Sequence, residues 1–291
     1  MLTLAFFRPI TAIAARQTKV FAQIEKAASA AKGQVGAKAA VLETEDAVSL
    51  NSGKRFPMQS VYKVPIAMTV LSLVDAGQLK LDQRVPITPK DFVRREQHSP
   101  LRDDNPTGTV VTVNTLLRYA VSLSDGTACD VLLNLVHGPE AVMQHLAKLK
   151  VSGLSVASSE KEIGRDRQTQ YRNWATPDGA VNLLRALQER RGGMSEGSQS
   201  LLLKLMVETP TGPKRLKGLL PGKAVVAHKT GTSGAKEGIT AATNDIGIIT
   251  LPDGRHLAVA VFVSDSPADE PTRERVIARI AKAAWDNWSG Q

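Results

Sequence analysis

The sequence predicts an α+β fold: a five-stranded antiparallel sheet built from both chain ends and flanked by terminal helices, with an inserted all-helical subdomain. Three observations carry this expectation. Strand-like runs lie near the two ends, at 38–43 and 47–50 and again at 224–230, 244–250 and 256–263. The stretch between them reads as helices, and helical periodicity brackets the strands at 17–32 and 271–288. Two parts of different architecture predict a cleft where they meet.

Each element has a local reason. Val20, Ile24, Ala27 and Ala28 recur at helical spacing over 17–32. A polar turn between 38–43 and 47–50 marks a hairpin. After Ser60, the apolar residues Ile66, Met68, Val70 and Leu73 describe a helix that stops at Gly77. Pro65 removes an N–H near its first turns. Asn114 is expected to cap a helix over 115–123, and Thr127 to open another reaching Val136. Thr176-Pro177 signals a helix start and Gly192-Gly193 its stop. Asp253-Gly254 is a tight-turn signal between the last two strands. Val276, Ile277, Ile280 and Ala284 share one side of the final helix. This divides the chain into an α/β subdomain of 16–58 and 216–291 and a helical subdomain of 59–215. Residues 1–15 read as a truncated signal peptide or an N-terminal extension. Their small residues Ala12, Ala14 and Ala15 resemble a cleavage region, whereas Arg8-Pro9 interrupts the apolar run.

Composition narrows the function. The 291 residues are 42% hydrophobic, enough for a substantial core, and 4% aromatic, so aliphatic side chains must fill it. The net charge of +9 is spread along the chain, with no basic tract longer than a pair, which argues against nucleic acid as a partner. A single cysteine, Cys129, excludes an intrachain disulfide and is expected to be core. The five histidines form no H-x-H or H-x-x-x-H pair, so neither a metal nor another cofactor is expected. No run approaches the ~18 apolar residues of a spanning helix.

Three short motifs carry chemistry. S-x-x-K is expected about once by chance in such a chain, yet it occurs four times, at Ser29/Lys32, Ser60/Lys63, Ser158/Lys161 and Ser233/Lys236. Only Ser60 opens a long apolar helix. There Lys63 shares its helix face, and a desolvated lysine can be neutral enough to help deprotonate the hydroxyl. Alternatively, Ser60 is a plain N-cap and Lys63 a solvated side chain. Lys229-Thr230-Gly231 is far rarer by chance; a strand-edge lysine beside a hydroxyl and a glycine can bind a carboxylate. Ser124-Asp125-Gly126 places a hydroxyl between two helices, where it can shuttle a proton.

In that order, Ser60-x-x-Lys63, Ser124-Asp125 and Lys229-Thr230-Gly231 resemble the penicillin-recognising serine enzymes, particularly class A β-lactamases. FPMQSVYK, SLSDGTACDVLL, QTQYRNW, VETPTGPKRLKGLLP and AHKTGTSG resemble the extended-spectrum branch typified by the PER enzymes, and the likeness spans roughly 17–287. The resemblance implies a β-lactam hydrolase with Ser60 as the acylated nucleophile and the N–H groups of Ser60 and Thr232 as oxyanion hole. It implies Lys63 in proton transfer, Ser124 as donor to the ring nitrogen, and Lys229, Thr230, Gly231 and Arg215 around the substrate carboxylate. It implies a deacylating glutamate at Glu160, with Glu162 and then Asp166 as rivals. Gly126 stands where the family has an asparagine that helps hold substrate, so substrate selection is expected to be weaker or shifted while the chemistry is retained. His98 falls near a wall position of the cleft. The protein is expected to act as a periplasmic or secreted monomer on small β-lactam substrates. A D-Ala-D-Ala peptidase, or a sensor that acylates and stops, are the alternatives.

Overall fold

The computed structural model describes residues 10–44 and 46–290. Helix α1 (Ile10–Ser29) precedes a hairpin of β1 (Gln34–Val41) and β2 (Ala47–Leu50). β3 (Val226–Thr232), β4 (Thr243–Thr250) and β5 (His256–Ser264) follow near the other end, closed by the C-terminal helix Glu270–Trp288. They form one sheet of order β2-β1-β5-β4-β3, with every neighbouring pair antiparallel. The two chain ends therefore meet at β1–β5, where Gln34 pairs with Ser264 and Val41 with Leu257. α1 starts seven residues earlier than periodicity suggests and takes in 10–15; residues 1–9 lie outside the described residues.

Strand alternation divides the core in two. Leu257, Val259, Val261 and Val263 of β5 pack with Val20, Ile24, Ile277, Ile280 and Trp285 of the terminal helices. The intervening Ala258, Ala260 and Phe262 face the other way, into the core shared with the helical part. On that face Phe262 stacks on Phe56 at 5.8 Å, and Gly36 leaves room for the ring: a Cβ there would lie 2.2 Å from the Phe56 edge.

Between the strands, α2 (Lys63–Asp75) is buried over its first nine residues and forms the axis of the helical part. Pro65 lies in its first turn, where an N–H has no helical acceptor, so the missing donor costs little. Thr112, rather than Asn114, caps helix Val113–Val121. Asp125 caps α3 (Gly126–Leu135), one residue before the expected Thr127 start. The middle segment departs from the all-helical expectation in two small sheets: Leu154–Ser155 and Trp174–Ala175 join Phe56–Pro57 in one, and the other lies earlier in the chain. The Thr-Val-Val-Thr run 109–112, β-branched throughout, pairs with Arg84–Ile87 as a two-stranded ribbon. Helix Pro177–Gln188, capped by Thr176, packs on β1 and β5 and ends ahead of Gly192-Gly193.

Asp125 ties this part to the cleft. Fully buried, its carboxylate accepts from the N–H of Ala128 (2.8 Å), the N–H of Leu101 (2.7 Å) and the Ser99 hydroxyl (3.0 Å). Burial raises its pKa against those bonds. Asp125→Ala removes a helix cap and strands two buried N–H groups, so unfolding in urea should show a loss of about 3 kcal/mol.

Candidate active site

The nucleophile candidate lies where the sheet edge meets the helical part. β3 is an edge strand, and the 3₁₀ turn Gln59–Tyr62 runs beside its free side before leading into α2. Close approach is possible because residue 231 is glycine: a Cβ there would lie 2.3 Å from the Met58 carbonyl oxygen. Asn244 on β4 straps the same turn, donating from Nδ2 to the carbonyls of Pro57 (2.8 Å) and Met58 (3.1 Å). Gln59 takes φ +48°, a left-handed conformation that costs about 1–3 kcal/mol and persists only where its surroundings impose it.

Ser60 caps nothing; its Oγ accepts a 2.8 Å hydrogen bond from Lys63 Nζ. The other two Lys63 donors reach the Ser124 carbonyl at 2.9 Å and Glu160 Oε1 at 2.7 Å. All three ammonium protons are thus engaged, although the side chain is only 2% exposed. Burial pulls the Lys63 pKa down, but the groups around it, the Glu160 carboxylate foremost, together hold the pKa above the ordinary lysine value. The direction of this shift runs against a neutral lysine in the free state. The free-state structure favours an ammonium, and deprotonating it requires a nearby acceptor.

Ser124 also sits in the left-handed region, at φ +60°, which turns its carbonyl to Lys63 and its hydroxyl to Lys229. Lys229 Nζ donates to Ser124 Oγ at 2.8 Å and to the Thr230 carbonyl at 3.1 Å. It is fully buried, and burial together with the Lys63 cation pushes its pKa well below the usual lysine range. Ser233 N–H bonds to Ala242 across β3–β4, so strand alternation directs the Thr232 N–H to the free edge, towards the cleft. The cleft of about 470 Å³ is lined by Ser60, Lys63, Ser124, Glu160 and Thr232 together.

Comparison with known proteins agrees with this geometry. The family described as "Beta-lactamase enzyme family" matches residues 19–288. Beta-lactamase VEB-1 of Pseudomonas aeruginosa is 38% identical, over 98% of this chain and 96% of its own. Extended-spectrum beta-lactamase PER-1 of the same organism is 44% identical, over 90% and 85%. A crystal structure of a beta-lactamase from Chitinophaga pinensis, 46% identical, superposes with a TM-score of 0.89 over 92% of this chain and 98% of that one. This chain belongs to the β-lactamase family. It is a class A serine β-lactamase, and its activity is β-lactam hydrolysis.

Within this β-lactamase the three acidic candidates separate by what they touch. Glu160 opens helix α4 (Glu160–Arg165) and turns into the cleft onto Lys63. Glu162 folds back on the start of the helix, accepting from Ser159 N–H (2.8 Å) and Oγ (3.1 Å) in a capping box. Asp166 caps the next 3₁₀ turn, accepting from Gln168 N–H and Thr169 Oγ1, both at 3.0 Å.

The substrate-binding candidates lie at different depths. Thr232 is exposed on the cleft wall, whereas Lys229, Thr230 and Gly231 are buried behind it. Thr230 Oγ1 bonds to Thr211 Oγ1 at 2.7 Å. Arg215, 3% exposed, reaches the cleft only through Thr232 Oγ1 (2.9 Å), while Glu274 holds its Nε at 3.2 Å. Gly126 is buried at the start of α3, its N–H donating to the His98 carbonyl at 3.0 Å, and it does not line the cleft. A Cβ there would lie 3.3 Å from that carbonyl, so a side chain needs segment 93–98 to yield. His98 itself lines the cleft and bonds to the Leu123 carbonyl at 2.9 Å. Cys129 is buried, as expected.

Sequence reasoning missed Asp130, whose carboxylate accepts from the N–H groups of Glu160 (2.7 Å) and Lys161 (3.0 Å) and so anchors α4 to α3. The partners are thirty residues apart, and no motif links them. Burial, then the Glu160 carboxylate, push its pKa up to about 6.

These carboxylates make two outcomes measurable. Glu162→Ala should lower stability by about 1 kcal/mol through the lost cap, leaving kcat essentially unchanged. Asp130 binds its proton more tightly folded than unfolded, so its favourable contribution is complete below about pH 4 and is lost as pH rises through about 6. The unfolding free energy of the wild type minus that of Asp130→Asn should therefore be about 2 kcal/mol more favourable to the wild type at pH 4 than at pH 7. Urea melts across that range would contradict this if the difference stayed flat or grew with pH.

Proposed function

We propose that hydrolysis runs through an acyl-enzyme on Ser60, with Lys63 and Glu160 acting as one proton-transfer pair. The observation that carries this reading is the position of Lys63 Nζ, shared between Ser60 Oγ (2.8 Å) and Glu160 Oε1 (2.7 Å). An ammonium cannot accept a proton, so Lys63 first passes one to Glu160. The resulting amine then takes the Ser60 proton while Oγ bonds to the lactam carbonyl carbon. The N–H groups of Ser60 and Thr232 stabilise the oxyanion. As the carbonyl–nitrogen bond breaks, Ser124 donates its hydroxyl proton to the ring nitrogen. Lys63 returns a proton to Ser124 and recovers one from Glu160, leaving carboxylate and ammonium as they began. In deacylation the Glu160 carboxylate takes a proton from a water molecule whose oxygen attacks the ester carbonyl; as the carbonyl–Oγ bond breaks, Lys63 gives Oγ a proton and recovers one from Glu160, restoring carboxylate and ammonium.

On this reading the substrate's carboxylate meets Thr232 and Ser124, with the charges of Arg215 and Lys229 one hydrogen bond behind them. Buried cations act on an anion through low-dielectric surroundings, where their field is less screened than at an exposed surface. Action as a monomer belongs to the same reading, since every residue it assigns a role lies within this chain. The small residues near the start support a periplasmic or secreted location. Among the described residues no helix is long and apolar enough to cross a membrane.

Glu160→Gln keeps the acylating hydroxyl but removes the carboxylate. With nitrocefin it should release about one equivalent of colour and then stall, with the adduct persisting by mass spectrometry, while the wild type continues to turn over. A Glu160→Gln enzyme that turned over at the wild-type rate without accumulating adduct would sink the assignment. A wild type that itself stalled as a stable adduct would indicate a sensor, and one that cleaved D-Ala-D-Ala peptides would indicate a peptidase.

A further inference from the structure

One side chain crosses the mouth of the cleft to the helix that carries Glu160. Gln97 lies on the wall opposite α4, and its Nε2 donates to the Glu160 carbonyl at 2.6 Å. Its Oε1 accepts from the Arg94 N–H at 3.3 Å, and its own N–H bonds back to the Arg94 carbonyl at 3.0 Å. The side chain is thus held at both ends, by its own loop and by α4. The carboxamide also occupies a particular space: an ideal Cβ on Gly164 would lie 2.1 Å from Gln97 Oε1 and 2.6 Å from Cδ. Any residue but glycine at 164 must displace it. Gly164 has no positive φ, so backbone conformation does not demand glycine there. What the absent side chain provides is room for Gln97.

From this we infer that Gln97 is a positioning residue for deacylation, clamping the backbone of Glu160 across the cleft, and that Gly164 is glycine in order to admit it. The inference rests on Glu160 being the deacylating base. Asp130 holds the N–H of Glu160 on the α3 side and Gln97 holds its carbonyl on the cleft side, so the residue is fixed at both backbone polar groups. A second tie, from Lys161 Nζ to the Lys90 carbonyl at 2.5 Å, joins the same two segments further out and leaves the carboxamide contact as the one at Glu160 itself. Removing this contact leaves the carbonyl to the short helix alone, without its tie to the facing wall, and lets Glu160 shift by fractions of an ångström. That harms a step needing a placed water more than a step begun by Ser60.

The experiment is a double-mutant cycle on Gln97→Ala and Gly164→Ala, read by steady-state kinetics and by the fraction of acyl-enzyme trapped on rapid acid quench, with Glu160→Gln as reference. Each single variant should lower kcat about tenfold and lower KM with it, preserving kcat/KM, because deacylation alone slows. Acyl-enzyme should accumulate in both. The double variant should be no slower than either single one, since the methyl group added at position 164 meets no carboxamide once Gln97 is gone. Gln97→Glu, which cannot donate to the carbonyl, should behave as Gln97→Ala. Wild-type kinetics in Gln97→Ala, additive losses in the cycle, or an equal fall in kcat and kcat/KM would each overturn the inference. Failure of Glu160→Gln to accumulate acyl-enzyme would instead overturn the reading of Glu160 on which it rests. Thermal melts of all variants separate these effects from loss of fold.

Discussion

The ammonium of Lys63 sets the terms for the rest of the molecule. A cation withdrawn from water costs several kcal/mol unless its protons and its charge are matched where it sits. Lys63 meets that condition through three acceptors contributed by three separate segments: Ser60 before α2, Ser124 between helices, and Glu160 at the start of α4. Losing one acceptor leaves a buried charge short of a partner, so the elements that deliver them are held with matching care. Asp125 fixes the turn after Ser124, Asp130 and Gln97 fix α4, and Asn244 straps the turn that carries Ser60.

A second buried lysine makes the arrangement asymmetric. Lys63 has a carboxylate against it, whereas Lys229 has hydroxyl and carbonyl oxygens and the repulsion of Lys63. Their pKa values therefore move in opposite directions, up for Lys63 and down for Lys229. Ser124 lies between them, offering its carbonyl to one and its hydroxyl to the other, and its left-handed backbone is what allows both. Two groups of the same type with opposite pKa shifts thus meet at one residue, Lys63 on its carbonyl and Lys229 on its hydroxyl.

Much of this architecture is legible in the chain, because strands and helices follow from side-chain periodicity, a local property. The five strands, the C-terminal helix and the turn at Asp253-Gly254 appear within a few residues of where periodicity places them, whereas α1 begins seven residues early. The ribbon at 84–87 and 109–112 escapes because four residues leave little room for a pattern. The catalytic cluster is legible differently. S-x-x-K recurs at chance level, and only the ordered company of Ser124 and Lys229 singles out Ser60. Composition cannot rank Glu160, Glu162 and Asp166, since all three are acidic residues near helix starts. What separates them is direction: two turn back on backbone N–H groups and one turns out to Lys63. The protonation of Lys63 departs from expectation for a related reason. Burial can be anticipated from the apolar helix around it, but the carboxylate that most strongly opposes its effect comes from a distant segment of the chain.

The departure at Gly126 shows how a motif and its surroundings can change together. The residue is buried under the segment that carries Gln97 and His98, its N–H bonded to the His98 carbonyl, with 3.3 Å left for a Cβ. A side chain at 126 and this path of segment 93–98 compete for the same space. With glycine at 126 the segment settles close against α3, and from there Gln97 reaches α4. Glycine at 164 leaves the far end of that reach open. The two glycines thus act on opposite ends of one structural choice. Space for a side chain from α3 is tight, and a carboxamide from the facing loop holds the helix that carries Glu160. Substrate selection in this enzyme is accordingly expected to depend on the wall of Gln97, His98 and Thr232 rather than on the third position of the serine-aspartate motif.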